Sequence, residues 1–229
     1  MPNSSKSLFE AILDDDRVTV KELFDSDPFL TKHGVAEKDR YESRIAHWIY
    51  SGDTALHVAA AGFRVEIATL LLIAGADFAS ARNRRCSQPL HYAADGYMGG
   101  PSWNAKRQVA MIRLLLKAGF NIDAQDKNGA TPLHRAVRTR SSAAVKCLLD
   151  AGADPTIRNK PGSTPFHLAV QNTGRGGSGS EKARMAQGEI LRAFLERGVS
   201  PALTDAKGKS VLEWVKSDWI HKILTGNAA

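Results

Sequence analysis

Cysteine is scarce: Cys86 and Cys147 are the only two in 229 residues. That excludes a disulfide scaffold and reads most simply as two thiols in a reducing compartment. Long apolar runs are missing as well. The longest, around Ala68 to Ala76, is far short of the roughly 20 residues needed to span a bilayer. The stretch "MPNSSKSLFEAILDDD" has no basic segment leading into an apolar one, and it turns acidic where a leader would be most apolar. Neither secretion nor membrane insertion is indicated, and a cytoplasmic protein is expected.

Catalytic constellations are equally hard to find. There is no CxxC or Cys/His spacing for zinc and no readable Ser/His/Asp set. In "TGRGGSGSEK", Gly174, Gly176 and Gly179 have the G-x-G-x-x-G spacing of a pyrophosphate cradle. A dinucleotide fingerprint needs a strand before the glycines and a helix after them, and no parallel-strand pattern exists in the chain. Lys182 does not adjoin Gly179 as a P-loop lysine must. The glycines read as a flexible tether, and no catalytic residue, metal or cofactor is expected.

What is present is a repeat. "DTALHVAA", "SQPLHYAA", "ATPLHRAV" and "STPFHLAV" align, and "KSVLEWV" is a degenerate fifth copy. The markers Leu56, Leu90, Leu133, Phe166 and Leu212 are 34, 43, 33 and 46 residues apart, a period of about 33 with insertions in alternate units. Each copy continues into an apolar run closed by Gly75, Gly119, Gly152 or Gly198, where a left-handed helix cap is least costly. Thr131 suits the cap of a first helix and Pro132 its first turn. Ala59, Ala93, Ala136 and Ala169 let neighbouring helices approach, and the Leu-rich second helices bury against the next unit.

The T-P-L-H-x-A signature and this period resemble the ankyrin repeat, from about Ser7 to His221. The resemblance implies an all-α solenoid of stacked helix-turn-helix units with hairpin-like finger loops. About five to six repeats form one domain, 1–229, in units 7–49, 50–82, 83–125, 126–158, 159–204 and 205–224. It also implies that His57, His91, His134 and His167, recurring once per unit, are structural and bonded to backbone near the fingers. His33, His47 and His221 are solitary and carry no signal. The first unit, with Asp14, Asp15 and Asp16 at its turn, reads as a cap. So does the last, which lacks the histidine and a second closing glycine, and where Trp214 and Trp219 are candidates to cover the final apolar face.

Three insertions distinguish this chain. The first, between Asp27 and Gly52, carries Tyr41, Trp48 and Tyr50; it reads either as a lengthened hairpin, "RIAHWIY" being strand-like, or as a segment in which Trp48 and Ile49 fold back over the first repeat. The second, Asp95 to Gln108, and the third, which holds the glycine-rich stretch, lie at equivalent places two units apart. Tyr97, Met98 and Trp103 on the second form a possible secondary surface, with Trp103 packing on its own repeat as the alternative.

Ankyrin stacks generally bind through finger tips and exposed first-helix positions. Transferred residue by residue, that selects Tyr50, Ser51, Asp53, Arg84, Arg85, Ser87, Lys127, Asn128, Ala130, Arg138, Thr139, Lys160, Ser163, Gln171, Asn172, Lys207 and Lys209. Arg82 and Arg158 lie close by. Cys147 reads as a core residue, and Cys86 sits at a tip beside Arg84 and Arg85, where a reactive thiolate is a minor alternative. The selected surface is basic, as is the chain at +7. The expectation is a monomeric, non-enzymatic scaffold that binds another protein, an acidic segment, through this face. The other reading is a nucleic-acid or anionic-membrane binder using the same face, against which the row lacks regularly interleaved aromatics.

Overall fold

The computed structural model describes residues 3–27, 29–30, 34–35, 45, 47–76, 82–96, 103–172 and 179–226. The described residues form an all-α array without strands. Its helices are α1 (Asn3–Leu13), α2 (Arg17–Ser26), α3 (Ala55–Ala61), α4 (Val65–Ile73), α5 (Pro89–Ala94), α6 (Ala105–Lys117), α7 (Pro132–Arg138), α8 (Ser142–Asp150), α9 (Pro165–Ala169), α10 (Glu181–Glu196), α11 (Val211–Trp214) and α12 (Asp218–Thr225). The chain divides into two compact units, Met1–Asn121 and Ile122–Ala229.

In each unit a short inner helix is followed by an outer one. In the first, α3 packs on α1 and α5, while α4 packs on α2 and α6. Leu8, Phe9, Ile12, Leu56, Ile67, Leu71, Leu90, Met111 and Ile112 are fully buried between them. In the second, α9 packs on α7 and α11, and α10 on α8 and α12. Phe166 and Phe194 stack there at 4.7 Å between ring centroids. Each such side chain contributes roughly 1.5–3 kcal/mol by leaving water. The small residues expected at the inner-helix contacts, Ala59, Ala93, Ala136 and Ala169, are all buried.

The closing glycines behave as anticipated, with φ of +79° at Gly75, +94° at Gly119, +91° at Gly152 and +72° at Gly198. The last unit differs from the sequence reading. Its α12 ends on Gly226 at φ +74°, so it does have a second glycine cap. Trp214 and Trp219 are half-buried beside that helix pair.

Both later insertions are closed by one device that the sequence concealed. Outer helix α6 starts about one turn early and α10 about two, and each buries a glutamine against the end of its inner helix. Gln108 Nε2 donates to the carbonyls of Ala93 and Ala94 at 3.0 and 3.3 Å. Gln187 Nε2 does the same to Ala169 and Gln171 at 2.7 and 3.0 Å. Inner-helix carbonyls left over by the early exit of the chain thereby gain partners. Trp103 turns onto this device, donating from Nε1 to Gln108 Oε1 at 3.3 Å. Tyr97, Met98, Gly174 and Gly176 lie outside the described residues.

The first insertion is tied down at its ends. Val35 N–H donates to the Asp53 carbonyl at 2.8 Å, and Gly52 N–H to the Val35 carbonyl at 2.9 Å. Leu30, Val35 and Ile45 are buried, whereas Trp48 is 79% exposed. Trp48 therefore does not seal the first repeat; Ile45 enters the interior instead. The described part of "RIAHWIY" forms no strand, and Tyr41 and His33 are outside the described residues.

Between inner and outer helices the chain turns through a left-handed residue: Asp15 at φ +60°, Phe63 at +53° and Arg140 at +59°. A side chain is disfavoured in that conformation, and Arg140 is the member of the set whose side chain is neither in the core nor in an ion cluster. Arg140→Gly is expected to raise stability by about 1 kcal/mol, and Arg140→Val to lower it by at least as much. Midpoints of urea unfolding, with unchanged slope, check both.

Candidate protein-interaction site

In the second unit the segments leading into α7, α9 and α11 repeat one hairpin. Its first residue, Asp126, Asn159 or Asp205, donates from its backbone N–H to the carbonyl four residues on, at 3.0, 2.9 and 2.9 Å. The side-chain Oδ1 of that residue then accepts from the N–H of the same fourth residue, Ala130, Ser163 or Lys209, at 3.0, 2.9 and 2.9 Å. Asn128 and Lys207 N–H add bonds of 2.7 and 2.8 Å to the two acids. An Asp or Asn bonding its own turn in this way fixes the loop without help from a strand.

Neighbouring tips touch. Lys160 N–H donates to the Asn128 carbonyl and Ala206 N–H to the Gly162 carbonyl, both at 2.9 Å. A Cβ at Gly129 would stand 2.9 Å from the Lys160 nitrogen, and one at Gly162 would stand 2.5 Å from Ala206 Cβ. With φ of +70° and +93° at these two glycines, any side chain is both strained and in collision.

The residue after the histidine position completes the two fingers that open on Asp. Arg135 Nη2 donates to Asp126 Oδ2 at 2.5 Å, and Trp214 Nε1 donates to Asp205 Oδ2 at 3.1 Å. Asn159 offers no second carboxylate oxygen, and Leu168 occupies the matching place. Burial alone would raise the Asp126 carboxyl, but bonds from Arg135, Ala130 and Asn128 hold it below the usual range. Asp205 is held down similarly, against its desolvation, by the N–H groups of Lys209 and Lys207 and by Trp214.

The histidines join one finger to the next. Thr131 N–H donates to His134 Nδ1 at 3.2 Å, which leaves Nε2–H to donate to the Ser163 carbonyl at 3.1 Å. Thr164 Oγ1 lies 2.7 Å from His167 Nδ1, and His167 Nε2 lies 3.1 Å from the Lys209 carbonyl. In the first unit Thr54 N–H donates to His57 Nδ1 at 3.2 Å, and His57 Nε2 donates to the Ser87 carbonyl at 2.9 Å. The structural role expected of these rings is what the geometry shows. In the last repeat Glu213 stands where the histidine would, and its Oε2 accepts from Ser210 N–H and Oγ, both at 2.7 Å. The histidine is lost from the last repeat, but a carboxylate caps the helix equally well.

In the first unit Asn83 opens the finger, accepting at Oδ1 from Arg85 and Ser87 N–H at 2.9 and 3.1 Å. Cys86, exposed and with φ +56°, takes the place held elsewhere by glycine. Asp53 lies beneath this finger. Its carboxylate accepts from Asn83 Nδ2 at 2.7 Å, from the Tyr92 hydroxyl at 2.8 Å and from Tyr50 N–H at 2.7 Å. His47, unremarkable in the sequence, lies tilted against Tyr92 at 4.2 Å between ring centroids and faces Asp95 at 3.6 Å.

This changes the set of surface residues selected from the sequence. Asp53 is 0% exposed and Ser87 is 1% exposed, so both belong to the interior. Ser163 is also buried, and Thr139 bonds back to the Arg135 carbonyl at 3.1 Å. Arg84, Arg85, Lys127, Asn128, Arg138, Lys160 and Lys207 are exposed, as are Gln171, Asn172 and Lys209. Tyr50 is half-buried beneath the Arg85 guanidinium, 4.6 Å from its ring centroid. Cys147 is a core residue. Among the described residues no group of three His, Cys, Asp or Glu side chains is placed to hold a metal ion, and no helix is long and apolar enough to cross a membrane.

Models of the ankyrin repeat match residues 51–84 once and residues 102–205 as three copies, together more than half of the chain. The chain belongs to the ankyrin-repeat family. It is also similar to a probable serine/threonine-protein kinase of Dictyostelium discoideum, 37% identical over 87 residues. That match takes in 38% of this chain and spans only 10% of the length of the kinase. Ankyrin repeats generally mediate protein–protein interaction, and the glycine-rich insertion of this ankyrin chain is followed directly by α10, capped by Ser180.

The histidine and acid bonds make stability depend on pH in one direction. Burial pushes His134 down to about 4, although the Ser163 carbonyl and Asp126 favour its charged form. An unfolded chain takes up that proton near pH 6.5, so the contribution is complete above that pH and drains away as pH falls toward 4. Up to about 3 kcal/mol is expected to be lost over this interval, and His134→Gln should flatten the dependence in urea melts. Asp126→Asn alone is expected to cost about 2 kcal/mol by stranding Arg135. Adding Arg135→Leu, which recreates the Asn159 and Leu168 pair, should return most of it in a double-mutant cycle.

Proposed function

We propose that this ankyrin-repeat chain acts by binding another protein through its finger tips and the exposed ends of its inner helices, and that the bound surface of the partner is acidic. The carrying observation is the way the fingers sort their charges. Asp53, Asp126 and Asp205 are buried and spent on hydrogen bonds within the fold. Arg82, Arg84, Arg85, Lys127, Arg158, Lys160 and Lys207 are exposed on the same segments. A surface that hides its own carboxylates and displays its cations steers an acidic partner toward it.

The fingers are ordered before any partner arrives, because each is fixed by its Asp or Asn turn and by the histidine behind it. Little conformational entropy is then lost on binding, which is how a rigid scaffold gains affinity from modest contacts. Two cysteines outside any disulfide fit a monomer working in the reducing cytoplasm. Recognition of nucleic acid is less well supported, since among the described residues no exposed aromatic side chain recurs from finger to finger.

Charge reversal at three residues on two tips, Arg84→Glu, Arg85→Glu and Lys127→Glu together, is expected to lower partner binding at least about tenfold. Its thermal midpoint should match the wild type, because none of the three side chains is buried. Affinity capture with wild type and variant, after matched melting curves, provides the measurement; the same partners retained equally by both would reject the proposal.

A further inference from the structure

The three fingers of the second unit, residues 125–130, 158–163 and 204–209, contain two carboxylates, and both are turned inward. Asp126 and Asp205 are each 6% exposed and fully engaged by backbone N–H groups and by Arg135 or Trp214. The cations of the same segments, Lys127, Arg158, Lys160, Lys207 and Lys209, all reach solvent. None of the five pairs with a carboxylate among the described residues. Lys209 lies nearest a countercharge, close enough to Glu213 to favour its ionised form. Arg158 is held in place by donating from Nη2 to the Thr204 carbonyl at 2.7 Å, a bond that leaves its charge uncompensated.

These cations are arranged in a line. Lys127 and Lys160 occupy the same place, one residue after the opening Asp or Asn, and Lys207 lies one residue further in its own finger. Backbone bonds from Lys160 to Asn128 and from Ala206 to Gly162 lock the tips side by side. Behind them α7, α9 and α11 are packed neighbours, and packed helices lie about 8–10 Å apart. An extended chain in the polyproline II conformation advances about 3.1 Å per residue with three residues per turn, so three residues cover one such step and every third side chain faces the same way. The finger segments contain no aromatic side chain on which a base could stack.

We propose that the tips of the second unit receive one extended acidic segment of a partner protein, lying across the three fingers, with a carboxylate at about every third residue. This rests on the reading of the fingers as the binding surface and adds the form of the ligand, its spacing and its place. Lys127, Lys160 and Lys207 each meet one carboxylate, and Arg158 adds charge between the tips. Spacing discriminates here because the finger backbones fix where each lysine begins, so a peptide with its acids bunched together satisfies one tip and crowds its own charges.

The test uses the whole chain and two labelled nine-residue peptides of identical composition, one with glutamates at positions one, four and seven and one with three consecutive glutamates. Fluorescence anisotropy is expected to show the spaced peptide binding at least about five-fold tighter, with affinity falling as salt rises. Lys127→Ala, Lys160→Ala and Lys207→Ala together should weaken it at least about ten-fold with an unchanged melting curve. Lys146→Ala with Lys222→Ala, exposed on the outer helices α8 and α12, should leave it unaltered. Equal or tighter binding of the bunched peptide overturns the proposal, as does binding that survives loss of the three lysines. Failure of both peptides, or tighter binding of a single-stranded oligonucleotide of equal charge, does so too. If these fail while partner capture remains sensitive to Arg84, Arg85 and Lys127, the broader reading of a basic binding face survives and this ligand does not.

Discussion

The buried neutral imidazole is the constraint on which the other features depend. One ring nitrogen of His57, His134 or His167 is committed to the cap of its own inner helix, and the other to a carbonyl of the following finger. Helix start and finger position therefore cannot vary separately. The tautomer follows from the bonds themselves, because the Thr54 and Thr131 N–H groups require an acceptor at Nδ1. Burial keeps these rings uncharged, and a neutral ring is the form that can accept at one nitrogen while donating at the other.

With that link in place, the fingers can dispose of their acids inside and their bases outside. Each acid is used twice, its Oδ1 by backbone donors and its Oδ2 by the residue after the histidine position. The correlation is visible in the second unit. Where the finger begins with Asp126 or Asp205, an Arg or Trp donor follows; where it begins with Asn159, Leu168 suffices. Affinity for an acidic partner then arises less from the number of basic residues than from the absence of competing carboxylates at the tips.

Much of this was legible in the sequence. The repeat, the inner and outer helices, the left-handed closing glycines and the bridging histidines all follow from residues whose spacing is the spacing of the structure. The failures have a common origin, in that one residue type has been replaced by another of like physical capacity. Glu213 caps as a histidine would, Cys86 adopts the backbone of a glycine, and Gly226 closes a helix that had been read as uncapped. Asp53 was placed on the surface by position, whereas Asn83 and Tyr92 give it partners inside. Those partners are distant in sequence, and no local pattern announces them. Trp48 is outside, and Ile45 is the residue of that segment that is buried.

Gln108 and Gln187 carry a consequence for how such a chain can change over time. By closing the end of the inner helix themselves, they separate the integrity of the repeat from the length of the connection that leaves it. Doubling a flexible connection costs only about 0.6 kcal/mol in closure entropy, so residues are added at these two places at little thermodynamic penalty. The two insertions are thus permissive ports, where new sequence can be tried while the register of the stack on either side stays as it was.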